Sequence, residues 1–288
     1  MQLFELAQDL KKHPADFAST LRGKTLAMIF EKPSLRTRVS FDVGIQQLGG
    51  FSICLHPDEI KLGKRESIHD VAKNLERMVD GIMVRTFAHQ TAVDLAQYAT
   101  IPVINGLTDY SHPCQALADY FTIREIKGEL RGRKLCFVGD GNNVAHSLLF
   151  AGARLGMHVT VACPTAYEPD PVAFASAEKD ARETKARIEI THDPVEGVRN
   201  ADIVYTDVWA SMGQESEHTS RVKAFQNFQV SERLMEKAKK DAVFMHCLPA
   251  HRGEEVLDEV IDAQYSVVFQ QAENRLHVQK ALMCTLMR

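Results

Sequence analysis

Residues 25–55 read TLAMIFEKPSLRTRVSFDVGIQQLGGFSICL. Thr25 to Glu31 is a short apolar strand, Val39 to Leu48 has helical spacing, Gly49-Gly50 stops that helix, and Phe51 to Leu55 is a second strand. Strand, helix, strand is the repeating unit of a parallel sheet. A second series with the same rhythm begins near Lys134. There Leu135 to Val138, His158 to Cys163, Ile188 to Thr191, Ile203 to Thr206 and Val243 to Cys247 are strand candidates separated by helical or loop text. The doubled pattern predicts an α/β chain with two open parallel-sheet domains. Helical text from His112 to Lys127 bridges them, and Gly128 to Arg133 is the boundary, giving domains at residues 1–127 and 128–265 and a final segment at 266–288. Within that segment Val267 to Phe269 is the last strand candidate, and Asn274 to Met287 has helical periodicity.

Composition narrows the function classes. At 288 residues with a formal charge of -4 and a pI near 6.3, the chain lacks the global positive field that gathers nucleic acid or anionic lipid. Anion binding must therefore be local. Glu5 and Asp9 interrupt the apolar N-terminus, unlike a secretory signal. No apolar run approaches the roughly 18 residues of a membrane-spanning helix. Cys54, Cys114, Cys136, Cys163, Cys247 and Cys284 are widely spaced, without a close pair of the metal or redox type. A soluble cytoplasmic protein without metal or cofactor is expected.

The local anion site is expected directly after the first strand. Lys32-Pro33-Ser34-Leu35-Arg36-Thr37-Arg38 is a turn that opens a helix with Ser34 as N-cap. First-turn N–H groups and the positive helix end favour an anion, and Arg36, Arg38 and the Ser34 and Thr37 hydroxyls add charge and donors. Arg85 follows the apolar Gly81 to Val84, and His112-Pro113-Cys114-Gln115 follows Val103 to Leu107. In open α/β sheets such strand ends line the ligand crevice. A neutral His donates to a carbonyl oxygen, and Arg holds phosphate and carbonyl alike.

Taken in order, Ser34-Leu35-Arg36-Thr37-Arg38, His112-Pro113-Cys114-Gln115, Asp207 to Gly213 and His246-Cys247-Leu248-Pro249 resemble the ornithine carbamoyltransferases. The resemblance runs from about Gly23 to the C-terminus. It implies a carbamoyl-phosphate domain, then an ornithine domain, a C-terminal helix packing back on the first domain, and a homotrimer or multiple of trimers. It implies that Ser34, Leu35, Arg36, Thr37, Arg85, His112, Gln115 and Arg275 hold carbamoyl phosphate, assisted by backbone around Cys247 and Leu248. Ornithine would be held by Asn143, Asp207, Ser211 and Met212, with Asp207 to Gly213 as a loop that closes on the amino acid. The implied products are citrulline and phosphate, in arginine metabolism, with the physiological direction left open.

These residue types suit the chemistry. Ornithine's side-chain amine resembles that of lysine, with a pKa of about 10.4, so it arrives protonated and must lose a proton before it attacks. Asp207 can attract and orient the ammonium, while Cys247 could take the proton or only position the nitrogen. The assignment adopted is Cys247 as acceptor. Thr37, Arg85 and His112 would donate to the developing oxyanion, and Arg36, Arg85 and Arg275 would hold the leaving phosphate. Two positions depart from the family pattern: Leu35 stands where Thr is common, and Lys61 stands near a usual Gln before Leu62 to Ser67. Leu35 loses a hydroxyl and keeps its N–H. Three rival readings are a carbamoyltransferase acting on aspartate, putrescine or N-acetylornithine, a nucleotide-binding dehydrogenase, and a non-catalytic binding or scaffold relative that keeps the fold and loses the chemistry. The second rests on Val138-Gly139-Asp140-Gly141-Asn142-Asn143-Val144, in which Val144 replaces the third glycine of a dinucleotide fingerprint.

Overall fold

The computed structural model describes residues 1–288 except 57–59, 61, 64 and 212, and of Glu215 only the backbone. The expectations placed on Lys61 and Met212 therefore lie outside the described residues. The chain divides into two compact units, Met1–Phe121 with Glu273–Arg288, and Thr122–Ala272. It passes from one to the other within the helix Pro113–Lys127 and returns within the helix Val268–Leu286.

The first unit holds β1 (Thr25–Phe30), β2 (Phe51–Leu55), β3 (Gly81–Arg85) and β4 (Val103–Leu107), in spatial order β2-β1-β3-β4. Every pairing is parallel. Continuous apolar text suits β1 and β3 because both are central and buried on both faces. β2 lies at the edge and leaves Phe51 and Ile53 exposed. Ala27, Ile29, Ile82 and Val84 form the core with Val71, Ala72 and Leu95 of the covering helices. The chain steps from β1 outward to β2, then returns to β3 on the other side of β1 and continues outward to β4. The switch point thus lies between the carboxyl ends of β1 and β3, where ligand crevices form in such sheets. Phe30 pairs with Arg85 at that end.

The second unit holds β5 (Lys134–Val138), β6 (His158–Ala162), β7 (Ile188–Thr191), β8 (Ile203–Thr206) and β9 (Val243–His246), in the order β7-β6-β5-β8-β9. These pairings are also all parallel. Its switch point lies between β5 and β8, where Val138 pairs with Thr206. One core cluster joins Val138, Val204 and Phe244 to Trp209, Phe225 and Val268. The two open parallel-sheet domains expected from the sequence are present. One element differs: Val267 to Phe269 is not a strand. Val267 donates a single backbone bond to Phe244 O, at 3.0 Å, and the helix begins at Val268. An apolar triplet is too short for periodicity to tell strand from helix.

Candidate active site

In the first unit the turn after β1 is built by its cap. Ser34 is extended, with φ -161° and ψ 115°, and its hydroxyl accepts the Thr37 N–H at 3.3 Å, starting the helix Leu35–Gln47. The Leu35 side chain is 73% exposed, so this departure from the family pattern removes nothing from the interior. Thr37 is buried, and its Oγ1 accepts from Nη2 of Arg275 at 3.2 Å. Nη1 of Arg275 donates to Oε1 of Gln115 at 2.7 Å. With its amide oxygen turned inward, Gln279 accepts from Nε and Nη2 of Arg275 at 3.1 and 2.8 Å, while its amide nitrogen donates to Ser40 Oγ at 2.5 Å. Gln115 in turn donates to Asp119 at 2.8 Å. Thr37, Gln115 and Gln279 are neutral, so they orient the guanidinium without cancelling its charge.

Arg85 ends β3 and is buried, as is His112 immediately before the helix Pro113–Lys127. The His112 imidazole is held well below its ordinary pKa, first by burial and then by the charges of Arg275, Arg85 and Arg36. It is therefore neutral at pH 7, and a neutral ring donates through one nitrogen only. The neighbouring Cys114 is a structural residue. Burial pushes its thiol up to about 11, and its Sγ donates to Asn105 O at 3.3 Å. Ser34, Leu35, Arg36, Thr37, Arg85, His112, Gln115 and Arg275 all belong to this unit. Sequence reading missed Gln279, Ser40 and Asp119, because helical text gives no sign of which neighbour a buried amide will meet.

In the second unit Asp207 follows β8 and is buried. One carboxylate oxygen accepts from Cys247 Sγ at 3.0 Å and from Val208 N–H at 2.8 Å. The other accepts from the side chain of Asn142 at 3.0 Å. Asn142 also caps the helix Asn143–Leu155, accepting from the N–H groups of Val144 and Ala145 at 2.9 and 3.2 Å. Asn143 is thus the first helical residue. Ser211 closes a turn with Gln214, which accepts its N–H at 3.0 Å. Two residues earlier, Trp209 is buried against Phe225, and its carbonyl accepts from Arg221 at 3.0 Å. Arg221 also pairs with Asp140 at 3.0 Å and with Glu217 at 2.9 Å. Burial raises the Asp140 carboxyl to about 6, against the opposing pull of Arg221.

The loop after β9 is set by a buried pair that sequence reading also missed. Nδ1 of His246 accepts the Leu248 N–H at 2.8 Å, which leaves Nε2–H to donate to Glu255 at 3.1 Å. Both side chains are wholly buried. Leu248 has φ +57°, a left-handed conformation that costs a branched residue about 1–2 kcal/mol and needs such support. Asp207, His246 and Cys247 present metal-ligand atoms within 4.8 Å of one another. Both imidazole nitrogens are already engaged, however, so the ring has no lone pair to offer an ion there.

The dinucleotide reading fails on packing. A Cβ on Gly141 would lie 2.2 Å from the nitrogen of Pro169 and 2.4 Å from the carbonyl carbon of Glu168. That glycine admits the protein's own backbone, where the fingerprint requires the approach of a pyrophosphate.

A cationic cradle at one switch point and an acid–thiol pair at the other, on two parallel sheets, are parts suited to a transferase that takes an anionic donor and an amine. Residues 1–125 match the carbamoyl-P binding domain of aspartate/ornithine carbamoyltransferase, and residues 131–286 match its Asp/Orn binding domain. The chain belongs to the aspartate/ornithine carbamoyltransferase family. It is 60% identical over 267 residues to an ornithine carbamoyltransferase of Thermococcus kodakarensis, covering 93% of this chain and 85% of that one. The solved ornithine carbamoyltransferase of Pyrococcus furiosus superposes with a TM-score of 0.96 at 55% identity, over 99% of this chain and 92% of that one. A solved acetylornithine transcarbamylase complexed with acetylcitrulline superposes with a TM-score of 0.89 at 34% identity, over 99% and 95%.

Proposed function

We infer that this chain transfers the carbamoyl group of carbamoyl phosphate to the side-chain amine of L-ornithine, giving L-citrulline and phosphate. The observation that carries the reading is the set of charges from Arg36, Arg85 and Arg275 acting on one buried, neutral His112. A dianionic leaving group needs such cations, and a carbonyl that gains negative charge needs an adjacent neutral donor. In this reading Arg36, Arg85 and Arg275 hold the phosphate, with the capped turn from Ser34 to Thr37 supplying N–H and hydroxyl donors. Thr37, Arg85 and His112 donate to the carbonyl oxygen, while Gln115 keeps Arg275 in place.

On the amine side, Asp207 orients the ammonium, with Asn143, Ser211 and Met212 holding the rest of the amino acid. The nitrogen lone pair forms the new C–N bond, the C–O bond to phosphate breaks, and phosphate carries away the electron pair. The proton the nitrogen sheds once the C–N bond forms leaves with the phosphate, and the one the ammonium gives up before attack goes to the Cys247–Asp207 pair. Cys247 is the immediate acceptor, and Asp207 receives the thiol's own proton across the 3.0 Å contact.

Two finer proposals accompany this one. A trimeric assembly is supported by family membership alone. A cytoplasmic location is supported by six cysteines that form no disulfide. Among the described residues no helix is long and apolar enough to cross a membrane.

Likeness in fold does not separate acceptors, since the acetylornithine enzyme superposes nearly as well as the ornithine ones. The test is product formation from carbamoyl phosphate by purified protein offered ornithine, N-acetylornithine, putrescine or aspartate separately. Citrulline from ornithine, with the other three idle, is the expected result. Turnover only with another amine would keep the phosphate assignments and overturn those of the acceptor.

A further inference from the structure

The His218, His251 and Glu254 side chains meet in a part of the second unit to which the proposed chemistry gives no task. Nε2 of His218 lies 3.2 and 3.1 Å from the two carboxylate oxygens of Glu254, and Nδ1 of His251 lies 3.7 Å from the second of them. One ligand atom from each residue can be chosen so that all lie within 4.8 Å of one another. Tetrahedral zinc, with bonds of about 2.0–2.1 Å, sets its ligand atoms about 3.3 Å apart. The histidine-to-carboxylate separations bracket that value. An ordinary ion pair would use one imidazole, whereas here two converge on a single carboxylate.

The backbones that carry these side chains are fixed. The turn from His251 to Glu254 is closed by the Glu254 N–H donating to His251 O at 2.9 Å, with Gly253 in the left-handed region at φ +88°. Buried Glu255 accepts the His251 N–H at 2.6 Å, and Gln229 donates to the carbonyls of Gly253 and Glu254 at 2.8 and 2.7 Å. His218 opens the helix His218–Phe225, and Arg221, one turn along, is tied to Asp140 and Trp209. Ligands held this way need little ordering on binding. All three side chains are partly open to solvent, at 44%, 46% and 32%, so an ion can enter and keep a water as its fourth ligand.

We propose that His218, His251 and Glu254 form a three-ligand site for a divalent transition cation of the zinc class. Two imidazoles and a carboxylate select zinc, cobalt or nickel over magnesium and calcium, which prefer sites made of oxygen alone. A cation there joins the residue that follows the 207–217 segment to the turn that follows Cys247-Leu248-Pro249. It thereby stabilises the second unit by binding only its folded form.

The test is titration of the full chain with Co2+ under reducing conditions, read by visible absorption. Wild type is expected to bind a single Co2+ with the strong d–d bands of four-coordination and no thiolate charge-transfer band. His218→Ala and His251→Ala, each verified as folded by circular dichroism, should each weaken binding by about tenfold or more. Cys247→Ser should retain the bands. In Zn2+ the wild type should gain thermal stability that His251→Ala does not. Three results would overturn the site: no spectral change at about 1 mM Co2+, binding as tight as wild type in both histidine variants, or loss of the bands in Cys247→Ser.

Discussion

Replacing Gln279 by glutamate separates the two things Arg275 is asked to do. Gln279 sits wholly buried on the last helix and accepts from Nε and Nη2 of Arg275 at 3.1 and 2.8 Å. A glutamate of the same length can accept the same two bonds, so the guanidinium stays oriented. The fold should lose little, beyond the amide bond to Ser40 at 2.5 Å, which costs about 0.5–1.5 kcal/mol. The new negative charge, however, cancels the cation that the phosphate is proposed to use. Loss of one charge-assisted hydrogen bond, about 1.5–3 kcal/mol, weakens carbamoyl phosphate binding by about ten- to 150-fold. Gln279→Leu does the reverse. It keeps the charge and strands Nε of Arg275 in the interior, at a cost of about 1–3 kcal/mol in stability. Calorimetric titration with carbamoyl phosphate alone gives the affinity, and thermal melts give the stability. The expected pattern is weak binding with near-native melting for Gln279→Glu, and a lowered melting temperature for Gln279→Leu. Unchanged affinity in Gln279→Glu would refute the reasoning, because Arg275 would then not be serving the phosphate.

Three further outcomes follow from the same geometry. Arg85→Ala should lower kcat/KM by about a hundredfold or more, since it removes a donor to both phosphate and oxyanion; near-normal kinetics would take Arg85 out of the site. Cys247→Ser replaces the thiol that contacts Asp207 at 3.0 Å and should lower turnover and displace the alkaline limb of the pH–rate profile. Full activity with an unchanged profile would end the acceptor role. His112 has a folded-state pKa below its ordinary value of about 6.5, so as pH falls through that value the unfolded chain takes a proton that the folded protein refuses. Stability should therefore fall on acidification below about pH 6.5, and the decline should be shallower in His112→Gln. Asp140, raised to about 6 from 3.8, acts with the opposite sign between those values, and it cancels when wild type and His112→Gln are compared. Parallel melting curves across pH 5–7 would show that His112 carries no such linkage.

The sheets were legible because their strands are short apolar runs separated by helical text, and burial on both faces leaves that pattern uninterrupted. Val267 to Phe269 misled for the same reason: three apolar residues satisfy a strand and a helix equally, and only the neighbouring backbone decides. Residues at strand ends were legible as a class. Arg85 after Val84 and Asp207 after Thr206 are polar groups that interrupt an apolar run at its carboxyl end, and that interruption is visible in one dimension. Gln279, Arg221 and Glu255 leave no such trace. Gln279 matters through Arg275 and Ser40, Arg221 through Asp140, Glu217 and the Trp209 carbonyl, and Glu255 through His246 and the His251 N–H, and nothing in the residue types announces these partnerships. Arg221 and Asp140, for example, are 81 positions apart.

This division has a physical cause. In each sheet taken alone, the order in which strands are laid down fixes a switch point, between β1 and β3 in the first and between β5 and β8 in the second. The turns leaving those strands must carry whatever groups face the crevice. Topology thus concentrates chemistry at a few positions that sequence can announce: Ser34 and Arg85 in one sheet, Asn142 and Asp207 in the other. Holding those groups at working geometry is a separate task, met by buried amides, a neutral imidazole and a guanidinium whose neutral neighbours leave its charge intact. Such partners are chosen by packing, so the residues that orient the site became identifiable only once the helices that carry them were in place.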